Sequence, residues 1–240
     1  MNILYALLLA AAVAAPASAM TVSPMAIEMS ASGKNARATV TVSNPTNAPI
    51  AVDTTVSTLT LSDTGEQMPA AGGAHNFLIL PPQAMIQPGA SQTFRIMWIG
   101  DPALPQSESY LIAFNQLPLQ GMTSTGINIL MSFAVALNIA PVGIKPELDV
   151  VDTRVVETDN GPRAQLTLFN PSQAHALLKQ ADIALATGAG TLTVSREQIA
   201  AAFGNGLVQP GRRRTFTLPV SLPPGTHAAT ARLTFKPAQR

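Results

Sequence analysis

The 240-residue chain has no cysteine. No disulfide braces a small core, and neither thiolate metal ligation nor thiol catalysis is open to it. Charge is scarce as well: only 11% of residues are charged, and the formal net charge is +1. There is thus no basic stripe for nucleic acid and no polybasic patch for an anionic membrane, so nucleic acid is not an expected partner. The histidines, His75, His175 and His227, lie far apart without ligand-like spacing, which leaves them surface or structural roles. No phosphate loop or nucleophile elbow occurs. Asp149, Asp152, Glu157 and Asp159 cluster, but Lys145, Arg154 and Arg163 interleave with them. Solvated strand faces and an Asn160-Gly161 turn account for that pattern without a catalytic dyad. Methionines such as Met25, Met29, Met85, Met97, Met122 and Met131 are scattered, as core or contact residues are and copper ligands are not. No enzyme activity, metal or other cofactor is expected.

Long apolar runs are missing too, except at the start. MNILYALLLAAAVAAPASA has the length of a secretory leader and ends in Ala17-Ser18-Ala19, the small-residue pattern of a cleavage site. Residues 1–19 are read as a signal peptide and the mature chain as starting at Met20. No later run approaches the roughly 18 apolar residues of a membrane span. An exported, soluble protein is expected.

What the chain does have is glycine and proline, 16 and 20 of them, spread along it as turns between many short strands would be. It also repeats itself. Ala38-Thr39-Val40-Thr41-Val42-Ser43 runs into Asn44-Pro45-Thr46, and Ala164-Gln165-Leu166-Thr167-Leu168-Phe169 runs into Asn170-Pro171-Ser172. Gln87-Pro88-Gly89 precedes Thr93-Phe94-Arg95-Ile96, and Gln209-Pro210-Gly211 precedes Thr215-Phe216-Thr217-Leu218 at the same spacing. Two marks recurring in one order predict two homologous all-β domains, residues 20–140 and 145–240. Strands with turn signals about every ten residues suit immunoglobulin-like sandwiches. The joint, Pro141-Val142-Gly143-Ile144, is short and carries proline, so it restricts the angle between the domains and leaves a cleft. Ser195 as N-cap and Gly204 as stop make residues 195–203 the one helical candidate, read as a short turn between strands.

One stretch stands apart. In residues 127–139 the apolar residues Ile127, Ile129, Met131, Phe133, Val135, Leu137 and Ile139 occupy every second position. A strand has a side-chain period of two, so they share a face, while Asn128, Leu130, Ser132, Ala134, Ala136 and Asn138 share the other. Such a face can be given to a second protein.

Asn76-Phe77-Leu78-Ile79-Leu80-Pro81-Pro82, then Gln87-Pro88-Gly89, Phe94-Arg95-Ile96, Leu104-Pro105, Ser107-Glu108-Ser109, Phe114-Asn115 and Leu117-Pro118 occur in an order that resembles the periplasmic pilus-assembly chaperones of the chaperone–usher pathway. The Asn44-Pro45 turn, the long alternating strand and the second sandwich extend the resemblance over nearly the whole mature chain. It implies a non-enzymatic periplasmic protein. Such chaperones bind pilin-like subunits that lack a final strand, supply one, and deliver them to an outer-membrane usher. The donor face is then Ile127, Ile129, Met131, Phe133 and Val135, with Val135, Leu137 and Ile139 mostly buried in the chaperone itself. An exposed donor edge also invites self-association of the free protein.

The departures are specific. In the best-known branch an Arg and a Lys hold the subunit's C-terminal carboxylate; Met25 and Ala136 stand at those positions, and neither binds a carboxylate. Ala140 stands where that branch has an Arg of an interdomain ion pair, which leaves Glu108 without its family partner. Arg95, the only Lys or Arg between Arg37 and Lys145, is the first candidate carboxylate anchor, and Lys145 at the joint is the second. The alternative reading is a secreted immunoglobulin-like structural or adhesive fibre subunit, against which the two complete repeats count.

Overall fold

The computed structural model describes residues 19–119 and 129–237. Of the expected signal peptide only Ala19 falls among them, and Ile127 lies outside them. Short alternating segments pair as the sequence pattern predicts. β1 (Thr21–Ser23), β2 (Ala26–Ser30), β3 (Arg37–Ser43), β4 (Ile50–Leu61), β5 (Gln67–Ala71), β6 (Phe77–Leu80), β7 (Gln83–Ile86), β8 (Ser91–Trp98), β9 (Glu108–Leu117) and β10 (Ser132–Ala140) build the first sandwich. One sheet has the order β1-β3-β8-β6, and the other β2-β10-β9-β4-β5 with β7 also on β4. Every second residue of the central strands turns inward, so Val40, Val52, Phe94, Ile96, Ile112, Phe114, Val135, Leu137 and Ile139 are completely buried. Phe94 and Phe114 meet edge to face at 5.1 Å across the sandwich.

The second sandwich contains β11 (Asp149–Thr158), β12 (Gly161–Phe169), β13 (Ala176–Leu177), β14 (Ala181–Thr187), β15 (Gly190–Val194), the helix α1 (Arg196–Phe203), β16 (Leu207–Val208), β17 (Arg213–Ser221) and β18 (Ala229–Phe235). Its sheets run β11-β12-β17 and β15-β14-β18, with β13 and β16 as a small separate pair. A core of its own forms around Leu166, Leu168, Ile183, Leu185 and Phe216. The segment expected as a short turn is an eight-residue helix. Ser195 and Gln198 close a reciprocal capping box at its start, which is why so short a helix holds.

The repeat marks have one cause. Asn44 and Asn170 are both fully buried. Asn44 donates from Nδ2 to the carbonyls of Ala48 (2.8 Å) and Ile86 (2.9 Å). Asn170 does the same to Ala174 (2.8 Å) and Val208 (3.0 Å). Each amide oxygen accepts from the backbone N–H and hydroxyl two residues on, of Thr46 and of Ser172. The backbone of each Asn also closes on the Pro-Gly turn, through Gly89 N–H to Asn44 O (2.7 Å) and Gly211 N–H to Asn170 O (2.9 Å). Only an amide of this length supplies two donors and a doubly used acceptor at that corner. Gly89 and Gly211 have φ of 69° and 64°, the left-handed region that favours glycine.

Candidate functional site

The strand predicted over 127–139 begins as β10 only at Ser132 and continues to Ala140. The reason is its neighbour: β9 ends at Leu117, and the last bond to the approaching chain is Gln116 N–H to Met131 O at 2.9 Å. β10 pairs with β9 antiparallel from Ser132 to Ile139. On its other side β2 runs parallel to it, but only along Ala136–Ala140. A further bond, Ala136 N–H to Met25 O at 3.0 Å, closes that pairing. Among the described residues, then, the stretch Ser132–Val135 has one ladder edge without a strand. Such an edge is a template for another chain.

Side-chain burial changes along the same stretch. Ile139, Leu137 and Val135 are fully buried in the first core; Phe133 and Met131 are partly buried and pack against its rim. Ile129 is 78% exposed. One apolar face thus passes from the chain's own core into solvent, and the division falls between Val135 and Phe133. Val135 faces inward and is not available to a partner.

The candidate anchors are not brought to this face. Arg95 lies on β8, in the other sheet, opposite Thr39 and Leu80, with its side chain outward. Lys145 is exposed in the connection between β10 and β11. Met25 and Ala136 do stand side by side, as the resemblance places them, and neither carries charge. The Glu108 carboxylate accepts a hydrogen bond from the Tyr110 hydroxyl. Burial, and then that bond to Glu108, push the Tyr110 phenol above its usual range. Glu108 and Tyr110 line a cavity of about 420 Å³ between the sandwiches, together with His75, Gln209 and Arg212.

The domain joint rests on residues the sequence reading did not connect. His175, completely buried, pairs through Nε2 with the Glu28 carboxylate of β2. Its Nδ1 lies 2.9 Å from Ser107 Oγ, which also accepts from the His175 backbone N–H at 2.9 Å. If Nε2 carries the proton, the Ser107 hydroxyl donates to Nδ1 and every partner is satisfied. The other Glu28 oxygen accepts from Asn138 Nδ2 at 2.9 Å, and Asn138 Oδ1 from Ser109 Oγ at 2.8 Å. On the opposite flank Gln209 clasps the end of β4, accepting from Leu61 N–H (2.9 Å) and donating to Leu59 O (2.8 Å). Beside it Thr215 N–H donates to Asp63 O at 2.7 Å, where the β4–β5 turn meets Arg214. Asn138, a polar residue on a strand otherwise apolar at that end, was the one visible signal of this network.

A family model described as "Pili and flagellar-assembly chaperone, PapD N-terminal domain" matches residues 19–145. Among solved structures the chain is similar to the class 5 fimbriae chaperone CfaA, with 12% identity, a TM-score of 0.58, and coverage of 92% of this chain and 95% of that one. It is also similar to the CsuC–CsuE chaperone–tip adhesion subunit pre-assembly complex from archaic pili of Acinetobacter baumannii, with 17% identity, a TM-score of 0.50, and coverage of 85% and 89%. The Salmonella enterica SafA pilin complex with the SafB chaperone gives 19% identity, a TM-score of 0.50, and 86% coverage of each chain. No curated protein matches the sequence.

Proposed function

This chain belongs to the pili and flagellar-assembly chaperones, and we propose that it acts in the periplasm by completing pilin-like subunits with its own strand and delivering them to an outer-membrane usher. A sandwich that lacks a strand exposes an apolar groove and unpaired backbone groups, both aggregation hazards. The chaperone covers them together. Residues 129–135 offer backbone partners on their open edge, while Ile129, Met131 and Phe133, preceded by Ile127, fill the groove. Residues 20–140 present the strand, and residues 145–240 brace it across the 141–144 joint.

The observation that supports this reading is the graded burial of one strand face beside an edge that β2 leaves unpaired. The interdomain bond between His175 and Glu28 takes the part that the resemblance gives to an ion pair at Glu108. The test is capture of the subunit that co-purifies from the periplasm. Ile129→Asp with Met131→Asp abolishes it while leaving the chaperone folded, since two carboxylates would enter an apolar groove unpartnered at a cost of several kcal/mol. Ser132→Asp on the opposite face is the control. Unchanged capture by the first pair refutes the assignment of the strand.

A further inference from the structure

The second domain holds the first through the turn that both domains share. Gln209, of Gln209-Pro210-Gly211, clasps the backbone at the end of β4. Next to it Gln173 O accepts from Ser107 N–H at 2.8 Å, and Thr215 N–H donates to Asp63 O. The corresponding groups of the first domain are Gln87, Asn47 and Thr93. Their corner is built alike, with Ala90 N–H on Gln87 O at 3.0 Å where Arg212 N–H meets Gln209 O at 3.2 Å. The shared Asn-to-glycine bond fixes both turns to the preceding loop. Gln87, Asn47 and Thr93 are nevertheless all exposed, and among the described residues nothing accepts from or donates to the side-chain amide of Gln87.

We infer that the Gln87 turn of the first domain is a second docking end. Its occupant is an immunoglobulin-like domain that presents a strand whose last residues lack a neighbour on one edge. Three points fix this choice. The partner chemistry is the one Gln209 already recognises: an N–H and a C=O two residues apart on an extended strand. Leu59 and Leu61 offer it because the pairing of β4 with β9 stops at Thr58. A second copy of this chain does not offer it. The end of β4 in its first domain is already clasped by its own Gln209, and in its second domain β14 pairs with β18 up to its last residue, Thr187.

The Gln87 turn also opens at the same end of the first domain as the donor face. Met131 bonds beside Gln116, Gln116 opposes Val52 on β4, and β7 beyond it leads into Gln87. Three strand spacings separate the two sites, about 14 Å, well within the width of one sandwich domain. Resting on the chaperone reading, Gln87 is a second binding contact beside the donor face. The amide clasps a free strand end of the subunit while residues 129–133 fill its groove, and the two contacts together set its orientation.

The test uses the full-length chaperone and the subunit that co-purifies with it. Gln87→Glu and Gln87→Ala are expected to leave the heat-unfolding midpoint unchanged and to weaken binding about tenfold, because Ala loses both hydrogen bonds and Glu replaces the donor with a carboxylate facing the partner carbonyl. Gln92→Ala, on the neighbouring strand, leaves binding unchanged. Hydrogen exchange in the wild-type complex is expected to slow at the Thr93 amide, outside the donor strand. Normal affinity in both Gln87 variants, with capture lost in the Ile129→Asp, Met131→Asp variant, overturns this inference and leaves the chaperone reading standing. Normal capture by the donor-face variant overturns both. Wild-type dimers that Gln87→Glu dissociates would assign the turn to another copy and overturn it as well.

Discussion

Single side chains hold this molecule at its corners. Asn170 satisfies two buried carbonyls and Asn44 one buried and one partly buried, and no smaller residue spans either pair. Asn170→Ala is expected to lower stability by on the order of 3 kcal/mol, read from urea unfolding, because its carbonyl partners remain buried without donors. His175 and Glu28 form a pair of the opposite kind, bridging two domains. His175→Gln and Glu28→Gln are expected to be non-additive, with a coupling of about 0.5–3 kcal/mol in a double-mutant cycle. Additive losses would mean that the two side chains act separately. Arg95 stands outward on the sheet that does not contain β10, and Arg95→Ala is expected to change subunit affinity by less than about twofold in a titration.

Among the elements, the alternating strands were legible because burial on one side imposes a period of two, and the paired Asn-Pro and Pro-Gly marks gave the two-sandwich plan. The start of β10 was not, since periodicity continues through Ile129 and Met131 while the ladder needs β9 to be present. The pairing of Glu28 with His175 was equally hidden, because contacts between residues so distant in sequence depend on how two finished domains meet. In the second domain Asp182 on β14 ties the first turn of α1 to the end of β18, through Arg196 at 2.8 Å and Lys236 at 3.2 Å. Hydrogen bonds from Arg196 and then Lys236 hold its carboxyl below the usual range. A depressed carboxylate stabilises the fold above its unfolded pKa, and that contribution disappears as pH falls through the lower, folded value. Heat-unfolding midpoints are therefore expected to drop less steeply in acid for Asp182→Asn than for the parent chain.

At the scale of the whole molecule, the angle between the sandwiches is set on two flanks, by His175 on one and by Gln209 with the β4–β5 turn on the other. Gly65 in that turn has φ of 91°, and a Cβ there would lie 2.5 Å from the Arg214 guanidinium. Gly65→Ala is expected to loosen the second flank without touching either core. Faster hydrogen exchange at the Leu61 and Thr215 amides, with exchange in Phe94 and Leu166 unchanged, would record it. β10 carries the larger consequence. Half of it is fixed between β9 and β2, and a slip of a single residue would turn Val135, Leu137 and Ile139 out of the core. The fixed half therefore acts as a ruler: whatever chain lies along the open half must take its reading frame from this protein, so a partner arriving out of phase meets Ser132 and Ala134 where its groove requires Met131 and Phe133.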